Sequence, residues 1–260
     1  MEAEIVKAAV LGAVQGISEF LPISSTAHLI LTPWFMGWNG LIDTLSFDVA
    51  LHGGTLAAIL VYFYKDWFDI ITKKHALLVL LIIATIPGAV LGKLFGDVVE
   101  TALRSPAVIS ISLVTIGIFM LLAEKVSRKQ RSVATLTISD AIILGLAQAV
   151  ALIPGVSRSG ITIAAGLVTN LKREEAAKMS FLMSAPIIAG ATLLHTVEVF
   201  KTPTATHNGK LFMAGIITSF ITGILSIGFL MKFFKKFSLN IFVYYRFILA
   251  IIILATLWIR

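Results

Sequence analysis

The segment Gln15-Gly16-Ile17-Ser18-Glu19-Phe20-Leu21-Pro22-Ile23-Ser24-Ser25-Thr26-Ala27-His28 gathers a carboxylate, three hydroxyls downstream of it and an imidazole. Gln15 and Glu19, four apart, share one helix face, and Ser25 and His28, three apart, share the next. Glu19, His28 and a serine are the parts of nucleophilic and proton-transfer machinery. A second segment, Pro154-Gly155-Val156-Ser157-Arg158-Ser159-Gly160-Ile161-Thr162, repeats the proline break and the hydroxyls and adds a guanidinium. Pro22 ends one helix and Ser24 or Ser25 can cap the next; the second segment reads the same way. Two such helix N-termini aimed at one cavity form an anion site, and the planar fork of Arg158 suits phosphate.

Each piece also has a plainer reading. The serines could all be caps, His28 could satisfy a neighbour, and Glu19 could be a buried acid bonded to backbone freed by the break. Arg158 resists such a reading, because a guanidinium at mid-membrane costs at least about 2.5–3.5 kcal/mol and needs a partner. An anionic substrate supplies one. His52, His195 and Arg246 have no such neighbours in sequence and read as packing or loop-facing residues; Asp140 and Glu198 fall near span ends, within reach of water.

The elements that must position these residues are membrane helices. Of 260 residues, 58% are hydrophobic and 13% charged, which excludes a water-soluble domain and disorder alike. Apolar stretches long enough to cross a bilayer fall at 49–64, 76–95, 106–123, 179–199, 211–231 and 241–259. Two further stretches, 3–36 and 138–170, are broken near the middle by the polar segments. Broken backbone at membrane depth is tolerated only where it lines a cavity or is buried in protein, so both read as re-entrant helical hairpins. The expected fold is all-α: a polytopic membrane protein of six spans and two re-entrant hairpins.

The hairpins resemble each other. Gly12-x-x-Gln15 with Pro22 aligns with Gly145-x-x-Gln148 with Pro154, offset by roughly half the chain. Residues 1–130 and 131–260 thus form two repeats of one membrane domain, each a hairpin followed by three spans. Three is odd, so the second copy is inverted. Loop charges agree: Lys65, Lys73, Lys74, Lys125, Arg128, Lys129, Arg131, Lys172, Arg173, Lys178, Lys232, Lys235 and Lys236 fall on one side, Lys7, Lys93, Arg104, Lys201, Lys210 and Arg260 on the other. The first side is cytoplasmic. The net charge of +7 is therefore a topology signal rather than a nucleic-acid surface. The chain has no cysteine, which excludes disulfides and thiolate chemistry, and Glu2 and Glu4 stand where a cleaved signal would be basic.

The two polar segments resemble those of the integral-membrane undecaprenyl-pyrophosphate phosphatases of the bacitracin-resistance type. The resemblance rests on Gln15-x-x-x-Glu19, Phe20-Leu21-Pro22-x-Ser24-Ser25-Thr26-x-His28 and Pro154-Gly155-x-Ser157-Arg158-Ser159-Gly160-x-Thr162, and extends to Phe47-Asp48 and Asp140. Gln15 stands where many members carry a first glutamate. The resemblance implies hydrolysis of a polyprenyl pyrophosphate to the monophosphate lipid carrier, recycling it for cell-wall and other surface polymers. It implies Glu19, Ser25, His28 and Arg158 as catalytic residues, and Gln15, Ser24, Thr26, Gly155, Ser157, Ser159 and Thr162 as substrate-binding residues. Ser25 would be the nucleophile and His28 or Glu19 its base; a His28 nucleophile or a water activated by Glu19 stays open.

Mg2+ or Ca2+ would accompany the pyrophosphate, with Glu19 the obvious acidic group of the motifs, and no organic cofactor is expected. The expected partners are the lipid substrate and the surrounding membrane lipids, without nucleic acid, and a homodimer stays open. The expected location is the plasma or inner membrane, with the site facing outward, because Glu19, Ser25 and His28 belong to the hairpin entering from the outer side. Inverted repeats with broken helices are also a transporter design, so a secondary transporter or flippase for an anionic lipid or phosphate-containing substrate is the alternative.

Overall fold

The computed structural model describes residues 2–201 and 209–259. In chain order, α1 (Glu2–Phe20) and α2 (Ser25–Met36) precede α3 (Leu45–Tyr62), α4 (Tyr64–Thr72), α5 (His75–Ala102) and α6 (Pro106–Val126). The second half runs through α7 (Ile138–Val150), α8 (Arg158–Val168), α9 (Arg173–Lys201), α10 (Gly209–Phe233) and α11 (Asn240–Ile259). Six of these, α3, α5, α6, α9, α10 and α11, are long and apolar enough to cross a membrane, at the expected places. Their outward faces carry exposed Ile111, Leu225 and Ile251, as lipid-facing helices do. The chain is a multi-pass membrane protein.

The two interrupted stretches are helix pairs, α1–α2 and α7–α8; α1 has 19 residues, the length of a span, whereas α2, α7 and α8 have 12, 13 and 11. Each pair rests on a span of the opposite half: α1 packs along α10, and α7 along α5. Small residues permit the approach. A Cβ on Gly12 would lie 2.0 Å from Thr218 Oγ1 and 2.3 Å from the Gly215 carbonyl oxygen, and one on Gly145 2.8 Å from that of Ala84. The exchange continues with α3 on α10 and α9 on α5, while α6 and α11, the last helix of each half, pack together.

One helix was not expected. The segment after α3, rich in charge, forms α4, whose Asp66 pairs with Lys178 of α9 at 2.5 Å while Ile70 is buried. Asp140 also differs from expectation: rather than reaching water, it is largely buried, caps α7 with Thr137, and takes two hydrogen bonds from Arg131 at 3.2 and 2.7 Å. The expectations for Arg260 and for the side chains of His195, Glu198 and Lys201 lie outside the described residues.

Candidate active site

Both breaks are built alike. Ser24, at φ 78°, is the N-cap of α2 and accepts a hydrogen bond from the Ala27 amide; Ser157, at φ 70°, caps α8 through the Gly160 amide. A serine in the left-handed region is strained and persists only where its surroundings hold it, as they do at functional sites. The first residues of the capped helices, Ser25 and Arg158, project toward a common point.

That point is Glu19, at the last turn of α1 and almost fully buried. Its Oε2 accepts hydrogen bonds from the Ser25 hydroxyl at 2.6 Å and from Gln15 Nε2 at 3.1 Å, while its Oε1 faces an Arg158 guanidinium nitrogen at 2.6 Å. The second guanidinium nitrogen donates to the Ser180 carbonyl at 3.0 Å. A cavity of about 230 Å³ opens beside this cluster, lined by Glu19, Ser24, Ser25, Thr26, Ser157 and Arg158 together with His52 and Gln148.

The other expected site residues stand behind this surface. Gln15 is fully buried against Glu19. Ser159 donates to the Leu21 carbonyl at 3.1 Å, tying the second tip to the first. Thr162 donates to the Arg158 carbonyl at 2.6 Å and pairs with the Ser180 hydroxyl, so it braces the arginine rather than lining the cavity. Gly155, at φ 89°, lies where a Cβ would come within 2.7 Å of the Ile109 carbonyl oxygen, so its part is close approach to α6.

His28 lies outside the cavity lining. Its Nδ1 is 2.7 Å from the Ser24 carbonyl and its Nε2 2.6 Å from the Tyr245 hydroxyl, with the imidazole stacked on the Tyr245 ring. A separation of three residues leaves side chains about 60° apart around a helix, enough here for Ser25 to meet Glu19 while His28 meets α11.

Two residues read from sequence as packing are instead central. His52 of α3 lines the cavity with Nε2 3.4 Å from Glu19 Oε2. Arg246 of α11 is fully buried and donates to the carbonyls of Ser112, Leu113 and Gly155 at 3.2, 3.1 and 3.0 Å, and reaches that of Pro22 at 3.5 Å. One guanidinium thus holds both tips and α6 together. The cost argument that singles out Arg158 applies equally to an arginine within the last apolar span, and was the available signal.

Among the described residues no three His, Cys, Asp or Glu side chains converge to hold a metal ion. Both Glu19 oxygens already have partners, Ser25 and Gln15 on Oε2 and Arg158 on Oε1.

The sequence profile of the bacitracin resistance protein BacA family matches residues 8–252. Similar proteins include an undecaprenyl-diphosphatase of Thermodesulfovibrio yellowstonii, 51% identical over 250 residues and covering 96% of each chain. Others carrying that name are found in Moorella thermoacetica, 46% identical across 98% of this chain and 99% of its own, and Rubrobacter xylanophilus, 44% identical across 98% of both. With a likeness that spans both tips and all six spans, the chain belongs to the BacA family of bacitracin resistance proteins.

Proposed function

We infer that this protein hydrolyses undecaprenyl diphosphate to the monophosphate and inorganic phosphate. The observation that carries the reading is the Ser25 hydroxyl bonded to the Glu19 carboxylate, with Arg158 brought from the other half of the chain to the same carboxylate.

In the mechanism this supports, the terminal phosphate takes Arg158 from Glu19, and the N-terminal ends of α2 and α8 add their partial positive charge. Ser25 Oγ attacks the terminal phosphorus and passes its proton to Glu19. The bond from phosphorus to the bridging oxygen breaks, and its electron pair leaves with the lipid monophosphate. The proton on Glu19 passes to the departing lipid phosphate, which frees the carboxylate; water then attacks the phosphoserine and gives a proton to Glu19, the bond from phosphorus to Ser25 Oγ breaks with its electron pair going to Oγ, and Oγ takes that proton back from Glu19 as inorganic phosphate leaves. Phosphoryl transfer asks mainly for positioning and charge stabilisation, which Arg158 supplies. His28 is left to position Ser24 and α2.

The lipid has a place to lie. A groove of about 430 Å³, lined by Leu56, Leu60, Leu81, Ile86, Ala185 and Ala189 among others, runs between α3, α5 and α9. Its lining residues Ala89, Pro186 and Ala189 are chain neighbours of Gly88, Ile187 and Ile188, which line the cavity beside Glu19, and this supports a path for the prenyl tail from that cavity along α5 and α9. The cavity residues Val49 and His52 fall in the half of α3 remote from Lys65, which supports a site facing the outer side of the plasma membrane.

The decisive measurement incubates detergent-solubilised protein with a prenyl diphosphate. Release of one phosphate per lipid is expected, and absence of release together with substrate-dependent transport in vesicles would establish the transporter reading instead. In sealed vesicles with an impermeant short-chain substrate, right-side-out preparations are expected to be active; activity confined to inverted ones reverses the proposed orientation.

A further inference from the structure

Among the described residues His52 is the one histidine that lines the cavity, and its two ring nitrogens have different partners. Nδ1 lies 2.8 Å from the Asp48 carbonyl oxygen, which can only accept, so Nδ1 carries a hydrogen and donates it. Nε2 lies 3.4 Å from Glu19 Oε2, also an acceptor in the ionised acid that Arg158 pairs with. A neutral imidazole protonated on Nδ1 would set a lone pair against that oxygen. The arrangement is satisfied when Nε2 also bears hydrogen and the ring is an imidazolium.

Among the described residues, the charged groups that face His52 are Glu19 from α1 and, behind it, Arg158 from α8. On its own helix, Asp48 pairs with Arg104 at 3.3 Å. From α9 and α10 the neighbours of this turn are Thr192, beside Gly53, and Ser219, on the Leu51 carbonyl.

We propose that His52, as an imidazolium donating to Glu19, is a positioning residue for the phosphoryl-transfer step: it holds the carboxylate ionised beside Ser25 once the substrate has drawn Arg158 away. The inference rests on the reaction set out above. Substrate binding brings a diphosphate next to Glu19 and removes the guanidinium that balanced it. Without a second cation the carboxylate would be repelled, and a carboxylate that takes up a proton to avoid this is no longer a base. Gln15, standing one turn before Glu19, contributes a neutral amide donor and no charge. Among the described residues that line the cavity, His52 is the remaining cation. It is tied to α3 rather than to either tip, so it stays with Glu19 when Arg158 turns to phosphate.

The test is the pH profile of phosphate release by the full-length protein in detergent, wild type against His52→Gln and His52→Leu. Loss of the Nε2 hydrogen as pH rises sets a lone pair against Glu19, so wild-type kcat falls on the alkaline side. In His52→Gln the amide donates at every pH; that limb is expected to vanish, with kcat at neutral pH lowered about tenfold and KM within about twofold. His52→Leu removes both charge and hydrogen bond and is expected to lose about a hundredfold in kcat. An alkaline limb unchanged in His52→Gln overturns the proposal, however fast or slow the variant is.

A second arm needs neither turnover nor the variants to be well folded for its main reading. Nitrogen-15 spectra of the histidine-labelled wild-type protein are expected to show one ring with both nitrogens protonated at neutral pH, lost in Glu19→Gln. Five rings that are all neutral at neutral pH overturn the inference even in an active enzyme. A protein that releases no phosphate from any prenyl diphosphate yet keeps the protonated ring overturns the reaction and leaves the His52–Glu19 pair standing.

Discussion

At the first tip Ser24 stands at φ 78° and α2 opens on Ser25; at the second Ser157 stands at φ 70° and α8 opens on Arg158. The offset is the same for both positions, 157 − 24 = 133 and 158 − 25 = 133, so the proposed nucleophile and the proposed phosphate clamp occupy corresponding places at the two breaks. The backbone was kept and the chemistry was divided. A left-handed capping serine aims the next side chain into the cavity whatever that side chain is. The partner positions differ accordingly: one copy has Glu19, the other Leu152, 152 − 19 = 133 residues on. A carboxylate is needed once, beside the hydroxyl.

The division can be broken most severely at Ser25. Ser25→Ala removes the attacking oxygen and leaves Arg158 in place, so turnover is expected to fall by about 10³-fold or more while substrate still binds. Single-turnover phosphate release together with lipid-binding measurements checks both halves of this. Retained activity in Ser25→Ala, with loss in Ser24→Ala, would move the chemistry from the first helical residue to the cap.

Arg158→Lys attacks the other half of the division and comes next in size. An ammonium is a point charge without the fork that reaches Glu19 and the Ser180 carbonyl at once. An activity loss of about a hundredfold is expected, in a protein that still inserts and elutes normally. Near-normal turnover would show that the helix ends alone hold the diphosphate and that the second tip has no special chemistry.

How much of this was legible in the sequence follows from where each partner lies. Spans and breaks are local: an apolar run or a proline within it carries its own signal, and the six spans fell where expected. The pairing of Ser25 and Arg158 followed from the repeat, which projects one local motif onto another. His52 and Arg246 escaped because their partners come from other helices: Glu19 sits 33 residues from His52, and Pro22 sits 224 from Arg246. Helix α4 escaped for a different reason. Its Asp66 and Asp69 read as a loop, although Trp67, Ile70 and Ile71 return at helical spacing.

The smallest expected effect concerns the residue whose sequence reading and placement differ most. His28 sits 133 residues before Ile161, a buried apolar side chain of α8, so its counterpart in the second copy is a packing position. The structure gives His28 a similar setting, stacked on Tyr245 and held through Nδ1 at the Ser24 carbonyl. If its part is to brace the first tip, loosening its outer contact should matter little. Tyr245→Phe keeps the stacked ring and deletes only the hydroxyl at 2.6 Å from Nε2. A neutral hydrogen bond contributes about 0.5–1.5 kcal/mol, and a partly exposed pair can exchange it for water, so kcat is expected to change by less than about threefold. The pH profile should keep its shape. A loss approaching that of Arg158→Lys, or a shifted profile, would place the imidazole of His28 in proton transfer and make the first tip carry both base and relay. It would also mean that the ring leaves Tyr245 when substrate arrives, and since Tyr245→Phe removes the bond that holds the ring back, the same variant would report this as a lowered KM.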